Sequence, residues 1–346
     1  TLPASEALNR LESFDHTIDA RTEAEHALDH VPGALNWQSL NNEERIVIGT
    51  MYKQVNPFEA KKRGAALVAR NIAAHIEREV IDKPRDWKPL VYCWRGGNRS
   101  GALATVLSAI GFRVTLIEGG YKAWRAALVE DLPRQAQTHR YRVICGPTGS
   151  GKTRLLHALA QQGAQVLDLE ELASHRSSVL GHLPGQPQPS QKRFDSLIWA
   201  SLRRFDPARV VYVESESKKV GNVRVPDALM ECMRASPCVD LQLSDTERVA
   251  LLLEDYAYFV NDPALFCQRL EALVELKGKA TVSEWTRLVR EGQTPAVVLD
   301  LLTQHYDPMY TQSIAKNFKQ FPQALRLTLR DRSASSMANA ASELIG

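Results

Sequence analysis

The chain has 346 residues, of which 44% are hydrophobic and 24% are charged, with a formal net charge of +3. This length favours about two domains over one core, and the composition excludes the disordered and collagen-like classes. The five cysteines lack the paired short spacings of a disulfide framework or a zinc site. Without a long apolar run or a signal-peptide layout, the sequence predicts a cytoplasmic protein.

The first part of the chain alternates between strand and helix patterns. A turn, Glu118-Gly119-Gly120, precedes a helix that contains Tyr121 and Trp124. Periodicity and turn residues predict strands at 17–20, 90–92 and 113–117, and helices at 23–28, 60–81 and 100–110. We therefore assign an α/β domain to residues 1–132.

A second α/β pattern begins after the polar segment 133–139, which we interpret as a linker. It predicts a helix at 152–162 and strands at 142–145, 165–169, 209–213 and 239–243. A loop is expected at 181–189, and the chain has a mostly helical pattern from 246 to about 303. Residues 140–346 are thus predicted to form a parallel-sheet domain with a helical insert at about 246–320.

A glycine-rich loop lies between the first strand and helix of this second domain. Its spacing, Gly-x-x-x-x-Gly-Lys-Thr, is that of a P-loop, whose backbone N–H groups and lysine bind phosphate. The Thr153 hydroxyl is a candidate ligand for Mg²⁺. The predicted phosphate-binding residues are Gly146, Thr148, Gly149, Ser150, Gly151, Lys152 and Thr153.

Two acidic residues close the neighbouring strands. Asp168 is either a base or metal-supporting carboxylate beside the P-loop, or a helix cap. Glu214 lies where a Walker B acid would hold Mg²⁺ together with Thr153, or else forms a surface salt bridge. Both interpretations remain open at the level of sequence.

A second reactive loop follows the predicted strand 90–92. Cys93 lies between a strand and a helix, where loop amides and the helix dipole favour a thiolate, and Arg95 and Arg99 would strengthen that effect. Such a cysteine is a nucleophile for a sulfur, selenium or phosphorus centre. The other loop residues are Trp94, Gly96, Gly97, Asn98 and Ser100.

Two families share this arrangement around the cysteine. The stretches Asp19-Ala20-Arg21, His30-Val31-Pro32-Gly33-Ala34 and Glu118-Gly119-Gly120-Tyr121 resemble those of rhodanese-like domains. The spacing from Cys93 to Arg99 and Ser100 also satisfies the signature of tyrosine phosphatases. The loop is longer than in typical sulfur-transferring rhodaneses, so it favours a tetrahedral donor such as selenophosphate.

Together the two halves resemble bacterial tRNA 2-selenouridine synthases over nearly the whole chain. The resemblance rests on residues 43–53, 92–100, 146–153 and 168–176, and on the stretches Glu214-Ser215-Glu216-Ser217-Lys218-Lys219-Val220-Gly221 and Tyr306-Asp307-Pro308-x-Tyr310. The sequence departs from the family at Ser177, where a glycine usually follows the arginine. The loop Gly-Pro-Thr-x-Ser-Gly-Lys-Thr also resembles that of tRNA dimethylallyltransferases, which hold a prenyl diphosphate.

The resemblance implies conversion of wobble 2-thiouridine in tRNA to 2-selenouridine. The sulfur would be geranylated from geranyl diphosphate, and selenium from selenophosphate would then replace it. It implies that Lys152 stabilises the leaving diphosphate, that Asp168 takes the thiouracil proton, and that Cys93 and Arg99 serve the selenium step. Candidate tRNA or substrate contacts, with a structural role as the alternative, are His175, Arg176, Glu214, Glu216 and Lys218.

The partners and cofactors follow from the same resemblance. We expect tRNA as the partner, with an enzyme that supplies selenophosphate as a second candidate, and neither DNA nor membrane. No tightly bound cofactor is expected, and Mg²⁺ is a candidate ion. The apolar pocket for the geranyl chain is expected from residues 181–199 or from the helical insert after Thr246.

Two other functions remain open at this point. One is a nucleotide-dependent tRNA sulfurtransferase that uses a persulfide on Cys93. The other is a regulatory module whose phosphatase-like loop only binds phosphorylated partners.

Overall fold

The computed structural model describes residues 1–176 and 185–346. The chain divides into two compact units, one of residues 1–134 with 189–200, and one of residues 135–188 with 201–346. Within the described ranges, no helix is both long and apolar enough to cross a membrane.

The first unit contains a four-stranded parallel sheet. Its strands are His16–Asp19 (β1), Leu35–Asn36 (β2), Pro89–Tyr92 (β3) and Thr115–Leu116 (β4). The spatial order is β2-β1-β3-β4. Its helices are Ala4–Arg10 (α1), Glu23–Leu28 (α2), Asn42–Gln54 (α3), Pro57–His75 (α4), Asn98–Ile110 (α5) and Gly120–Thr138 (α6).

The predicted bounds of α2 are confirmed, and hydrogen bonds at its first turn explain where the helix begins. The Thr22 side chain accepts a hydrogen bond from the Glu25 N–H, and the Glu25 carboxylate accepts one from the Thr22 N–H. This reciprocal pair satisfies two N–H groups that a helix start leaves free. Asn41 and Glu44 form the same arrangement at the start of α3.

Three predictions about these residues need correction. The strand expected at 113–117 is shortened to the two residues of β4, which pairs with β3, and an isolated bridge joins Ile117 to Leu2. Most of the expected linker, residues 133–138, lies inside α6, which continues through Pro133. Residues 189–200, which the sequence analysis placed in the second domain, group with the first unit.

The second unit contains a parallel sheet and a separate hairpin. The strands are Arg140–Cys145 (β5), Gln165–Leu167 (β6), Val210–Glu214 (β7), Lys219–Val220 (β8), Val223–Arg224 (β9), Cys238–Gln242 (β10) and Leu325–Thr328 (β11). The five-stranded parallel sheet has the order β11-β10-β5-β7-β6, and β8 and β9 form the antiparallel hairpin. The central position of β5 places the loop after it in the middle of the carboxyl edge of the sheet, where parallel α/β sheets bind ligands.

The remaining part of the described chain is mainly helical. The helices in chain order are Lys152–Gln161 (α7), Leu169–Ala173 (α8), Gln191–Arg204 (α9), Asp227–Ala235 (α10), Asp245–Asp255 (α11), Ala257–Asn261 (α12), Pro263–Leu270 (α13), Val274–Lys277 (α14), Lys279–Arg290 (α15), Thr294–Leu301 (α16), Asp307–Asn317 (α17) and Ala334–Ile345 (α18). Of the loop expected at 181–189, residues 181–184 lie outside the described part of the chain.

Helices α11 to α16 enclose an apolar core of their own, separate from the core beside the sheet. Its fully buried members include Phe266, Leu270, Trp285, Val297 and Leu301. A wider π-helical turn, Leu302–Tyr306, follows α16 and leads into α17. Residues 294–317 therefore form a continuous helical segment, which positions one wall of the site described below.

Candidate functional site

The cysteine loop of the first unit is supported by the Gly-Gly turn that precedes α6. Gly120 has a φ of +59°, and a Cβ there would lie 2.4 Å from the carbonyl oxygen of Cys93. Only glycine permits both that backbone conformation and this close approach. The N–H of Tyr121 donates to the same carbonyl oxygen at 2.8 Å. The turn therefore fixes the backbone on which the thiol is carried.

The Cys93 sulfur is buried and accepts two hydrogen bonds. The N–H of Gly97 lies 3.2 Å from Sγ, and the Ser100 hydroxyl donates to Sγ at 3.1 Å. Burial acts to raise the pKa of the thiol, but donors from Ser100, Gly97 and the Arg95 backbone outweigh it and leave the pKa below its usual value. The thiolate is thus the favoured form of a nucleophile.

The guanidinium of Arg99 is bound to another partner. Its Nη1 donates to Oε2 of Glu25 at 2.7 Å, and this pairing helps to hold the Glu25 pKa below its usual value although burial acts to raise it. The expected stabilisation of the thiolate by arginine side chains is therefore not the main cause of its lowered pKa, which comes from backbone N–H groups and Ser100.

The rhodanese-like opening stretch has a structural role in the described chain. Arg21 forms a buried ion pair with Asp19, with Nη2 and Oδ2 at 2.6 Å, and its guanidinium lies 3.9 Å from the ring centre of Tyr121. The Tyr121 hydroxyl donates to the Asp29 carboxylate at 2.7 Å. These contacts connect the ends of β1 and α2 to α6, beside the cysteine loop.

The P-loop connects the central strand β5 to α7. Gly149 and Gly151 have φ values of +77° and +89°. Residues with a side chain are strained in this conformation, which explains why both positions are glycine. The Lys152 ammonium donates to the carbonyl oxygens of Gly146 at 2.7 Å and Pro147 at 3.3 Å. The buried Ser150 hydroxyl has no hydrogen-bond partner among the described residues. The loop can therefore offer a cation, a hydroxyl and N–H groups to a phosphate.

Arg248, a residue that sequence reasoning missed, holds the tip of this loop. Its side chain is 4% exposed, and its Nε and Nη2 atoms donate to the Thr148 carbonyl oxygen at 3.0 and 2.8 Å. Asp307 and Asp245 pair with the same guanidinium. The sequence pointed to this contact only indirectly, because Asp307, the partner of Arg248, belongs to the Tyr306-Asp307-Pro308 stretch that carries the family resemblance.

Asp168 and Glu214 both cap helix α8. Asp168 accepts a hydrogen bond from the Glu171 N–H at 2.8 Å, which ends β6 at Leu167 instead of the predicted residue 169. Glu214 Oε1 accepts from the N–H groups of Leu169 and Glu170 at 2.7 and 3.0 Å. Glu214 is 3% exposed, so its interpretation as a surface salt bridge is wrong.

These carboxyl groups are buried and lie close to one another, and both conditions disfavour their charged forms. Burial, followed by the proximity of Asp168 and Glu216, raises the pKa of Glu214 well above its usual value. Burial also raises the pKa of Asp168, against the hydrogen bond from Glu171. His157 Nε2 lies 3.4 Å from Asp168 Oδ2. The raised pKa favours the protonated form of Glu214 more than in an exposed glutamate, and a protonated carboxyl is a poor metal ligand.

A different set of donors provides the best arrangement for a cation among the described residues. One nitrogen or oxygen atom from each of His157, Asp168 and Glu171 lies within 4.8 Å of the others. Thr153, the other predicted Mg²⁺ ligand, instead donates to Glu170 at 3.3 Å. These contacts do not bring Thr153 and Glu214 together as a pair of ligands.

The other candidate substrate residues occupy different surroundings. The Arg176 guanidinium lies 4.7 Å from the ring centre of Tyr256 and 3.7 Å from Asp255 Oδ2. Lys218 forms an exposed ion pair with Asp227 at 2.7 Å. His175 and Glu216 are buried. Of this group, Arg176 is the residue placed against the pocket described next.

An apolar pocket begins at the P-loop. The P-loop contributes Thr148, and the helical insert contributes the other walls. The pocket is lined by Thr148, Leu252, Leu253, Tyr256, Phe259, Val260, Phe266, Thr294, Val298, Leu301, Leu302 and Tyr306. Among the described residues, the walls of the pocket come from the insert after Thr246, one of the two segments expected to form it, whereas residues 181–184 of the other segment lie outside the described part of the chain.

Both halves of the chain match known families. Residues 3–127 match the rhodanese-like domain, and residues 139–276 match the family described as the tRNA 2-selenouridine synthase AAA domain. These matches and the two parallel sheets confirm the predicted α/β fold class.

Proteins named tRNA 2-selenouridine synthase are similar to most of the chain. The protein from Shewanella pealeana is 30% identical over 371 residues, covering 95% of this chain and 98% of that protein. The protein from Aeromonas salmonicida is 30% identical and covers 85% of each chain. The match to the Nitrosomonas europaea protein has 36% identity but spans 63% of that relative, less than two thirds of its length.

Proposed function

The chain belongs to the family of tRNA 2-selenouridine synthases, and from this membership we propose that it converts wobble 2-thiouridine in tRNA to 2-selenouridine. The conversion has two steps. The sulfur is first geranylated from geranyl diphosphate, and the S-geranyl group is then replaced by selenium from selenophosphate. The P-loop unit performs the first step, and the cysteine loop performs the second.

The observation that carries the first step is the apolar pocket that begins at Thr148. A nucleotide bound by a P-loop needs polar contacts for its sugar and base beyond the phosphates. A prenyl diphosphate instead needs an apolar cavity next to the phosphate site, and the pocket lined by Tyr256, Phe259 and Leu301 supplies one. The geometry therefore favours a diphosphate with an apolar tail.

Bond formation at sulfur requires the diphosphate to leave with a bonding pair. As the carbon–oxygen bond of geranyl diphosphate breaks and the carbon–sulfur bond forms, negative charge grows on the diphosphate. Lys152, whose ammonium is held by carbonyl oxygens in this structure, moves to that charge, and the start of α7 adds its dipole.

The thiouracil must also lose a proton during this step, and we assign that proton to Asp168. Its raised pKa makes the ionised carboxylate a stronger base than an exposed aspartate. His157, whose side chain is largely exposed, faces the same carboxylate and connects it with solvent.

In the second step, the Cys93 thiolate attacks the phosphorus of selenophosphate. A sulfur–phosphorus bond forms, the phosphorus–selenium bond breaks, and selenium leaves as selenide with the electron pair. Selenide then adds to C2 of the base and geranylthiolate leaves. Water hydrolyses the phosphocysteine to restore the thiolate, so the step needs no oxidant. Gly97, Ser100 and an Arg99 released from Glu25 hold the phosphate part.

The proposed substrates also imply which partners the enzyme has and in which compartment it acts. The proposed acceptor is tRNA, which places the enzyme in the cytoplasm, and an enzyme that forms selenophosphate must supply the donor. Arg176 is the candidate contact for tRNA or diphosphate that lies nearest the pocket, through Tyr256.

The test is reconstitution with omission of single components. Purified protein is incubated with 2-thiouridine tRNA, geranyl diphosphate and selenophosphate, and the nucleosides are analysed by mass spectrometry. We expect S-geranyl-2-thiouridine without selenophosphate, and no product without geranyl diphosphate. Formation of selenouridine that needs ATP or GTP but not geranyl diphosphate would overturn the proposal in favour of a nucleotide-dependent enzyme.

A further inference from the structure

Building on the proposed function, we propose that the end of the apolar pocket farthest from the P-loop selects the length of the prenyl chain. This far end is formed by Phe266, Thr294 and Val298. It limits how far a bound prenyl chain can extend from the P-loop. The residues therefore determine specificity for geranyl diphosphate over a longer prenyl diphosphate.

The first argument is the direction of the helical segment 294–317. Its residue Asp307 pairs with Arg248, which holds the Thr148 carbonyl oxygen, so this part of the segment lies at the P-loop. Thr294 precedes Asp307 by 13 positions on the same helical segment, so it lies more than three turns farther from the P-loop. Val298 lies one turn nearer to the P-loop than Thr294 does.

The opposite wall of the pocket leads away from the P-loop as the residue number increases from Arg248 to Phe266. Arg248 lies at the P-loop, and Leu252 on the next turn of α11 would be 3.0 Å from a Cβ added to Gly149. Beyond it, the ring of Phe259 stacks on Phe266 with centroids 5.2 Å apart. Both walls thus place the P-loop at one end of the pocket and Phe266 at the other.

The far end is built to resist displacement. Phe266 is 3% exposed and belongs to the same buried cluster as Leu270 and Trp285. A longer prenyl chain could extend past Phe266 only by disrupting this close-packed core, because added volume destabilises a closely packed interior. Val298 is only partly buried, so its side chain can be enlarged with little strain on that core.

Competition among prenyl diphosphates tests the proposal. Wild-type protein and variants are given 2-thiouridine tRNA with dimethylallyl, geranyl or farnesyl diphosphate, and kcat/KM is measured for each by nucleoside mass spectrometry. Val298→Phe should lower the geranyl to dimethylallyl ratio by about 10-fold or more, and Phe266→Leu should raise the farnesyl to geranyl ratio by about 10-fold. Leu299→Phe, on the exposed side of the same helix, should leave both ratios unchanged.

The two proposals fail in different ways. If wild-type protein transfers no prenyl group from any donor, the proposed first step is wrong. If it transfers geranyl but neither Val298→Phe nor Phe266→Leu changes the ratios, the length selection is wrong. Thermal melts show whether each variant is folded, and the partly buried Val298 keeps the test valid if Phe266→Leu unfolds.

Discussion

The Arg248 guanidinium donates two hydrogen bonds to the Thr148 carbonyl oxygen, at 3.0 and 2.8 Å, although the two residues are 100 positions apart in the chain. The same guanidinium pairs with Asp307 on the helical segment that lines the apolar pocket. One side chain therefore connects the tip of the phosphate loop with both walls of the pocket.

We expect Arg248→Lys to weaken geranyl transfer. A lysine retains the charge but cannot reproduce the forked contacts with Thr148 and Asp307. The KM for geranyl diphosphate should rise by about 10-fold or more, since the interactions lost are buried and charge-assisted. Steady-state kinetics with 2-thiouridine tRNA measure the change. Arg287→Lys, at an exposed ion-pair site of α15, is the matched control. An unchanged KM in Arg248→Lys would contradict the holding role.

Lys152→Ala should stop the first step without affecting the second. Loss of the cation removes charge stabilisation from the leaving diphosphate, so geranyl transfer should fall by about 100-fold or more. Transfer of selenium to tRNA that already carries S-geranyl-2-thiouridine should continue, because it depends on Cys93. Nucleoside mass spectra of both reactions give the result. Normal geranyl transfer by this variant would remove the P-loop from the first step.

Ser100→Ala should shift the pH dependence of selenium transfer. The Ser100 hydroxyl donates to the Cys93 sulfur and helps to lower its pKa, so its loss raises that pKa. The fraction of thiolate at neutral pH then falls, and the rising limb of the rate profile moves to higher pH. Ser108→Ala, on the exposed face of the same helix, should leave the profile in place.

The cysteine itself provides the reference for that experiment. Cys93→Ala should accumulate S-geranyl-2-thiouridine and form no selenouridine at any pH. Selenouridine in its nucleoside spectra would show that another group delivers selenium. A profile of Ser100→Ala that matches the wild type would show that the hydroxyl does not control the reactive thiolate.

Glu214→Gln should stabilise the protein at neutral pH relative to wild type. The Glu214 pKa is raised in the folded state, so its favourable contribution is full below the unfolded pKa of about 4.5 and is lost as pH rises toward the folded pKa. Glutamine keeps an oxygen for the N–H groups of Leu169 and Glu170 and cannot ionise. Urea unfolding between pH 5 and pH 8 should show a smaller loss of stability with rising pH in the variant.

Exposed Glu43 on α3 supplies the control, and Glu43→Gln should leave the slope of stability against pH unchanged. If Glu214→Gln instead loses affinity for Mg²⁺ and shows no flattening, Glu214 holds metal as a carboxylate. That outcome would restore the Walker B interpretation over the capping one.

Features encoded in short windows of sequence could be predicted. The bounds of α2 follow from Thr22 and Glu25, and the P-loop follows from Gly146, Gly151 and Lys152, because capping and positive φ are local properties of the chain. The position of Cys93 between a strand and a helix is equally local. Each of these features can be predicted without information about residues distant in the sequence.

Contacts between distant parts of the chain were decided only by the tertiary structure. The sequence alone did not show that Arg99 pairs with Glu25, that Glu214 caps α8, or that Arg248 holds Thr148. The apolar pocket could be expected, but its walls could not be chosen from two candidate segments. Packing of the whole fold brings together side chains that are distant in the sequence. The free energy of such a contact therefore depends on residues outside any short sequence window.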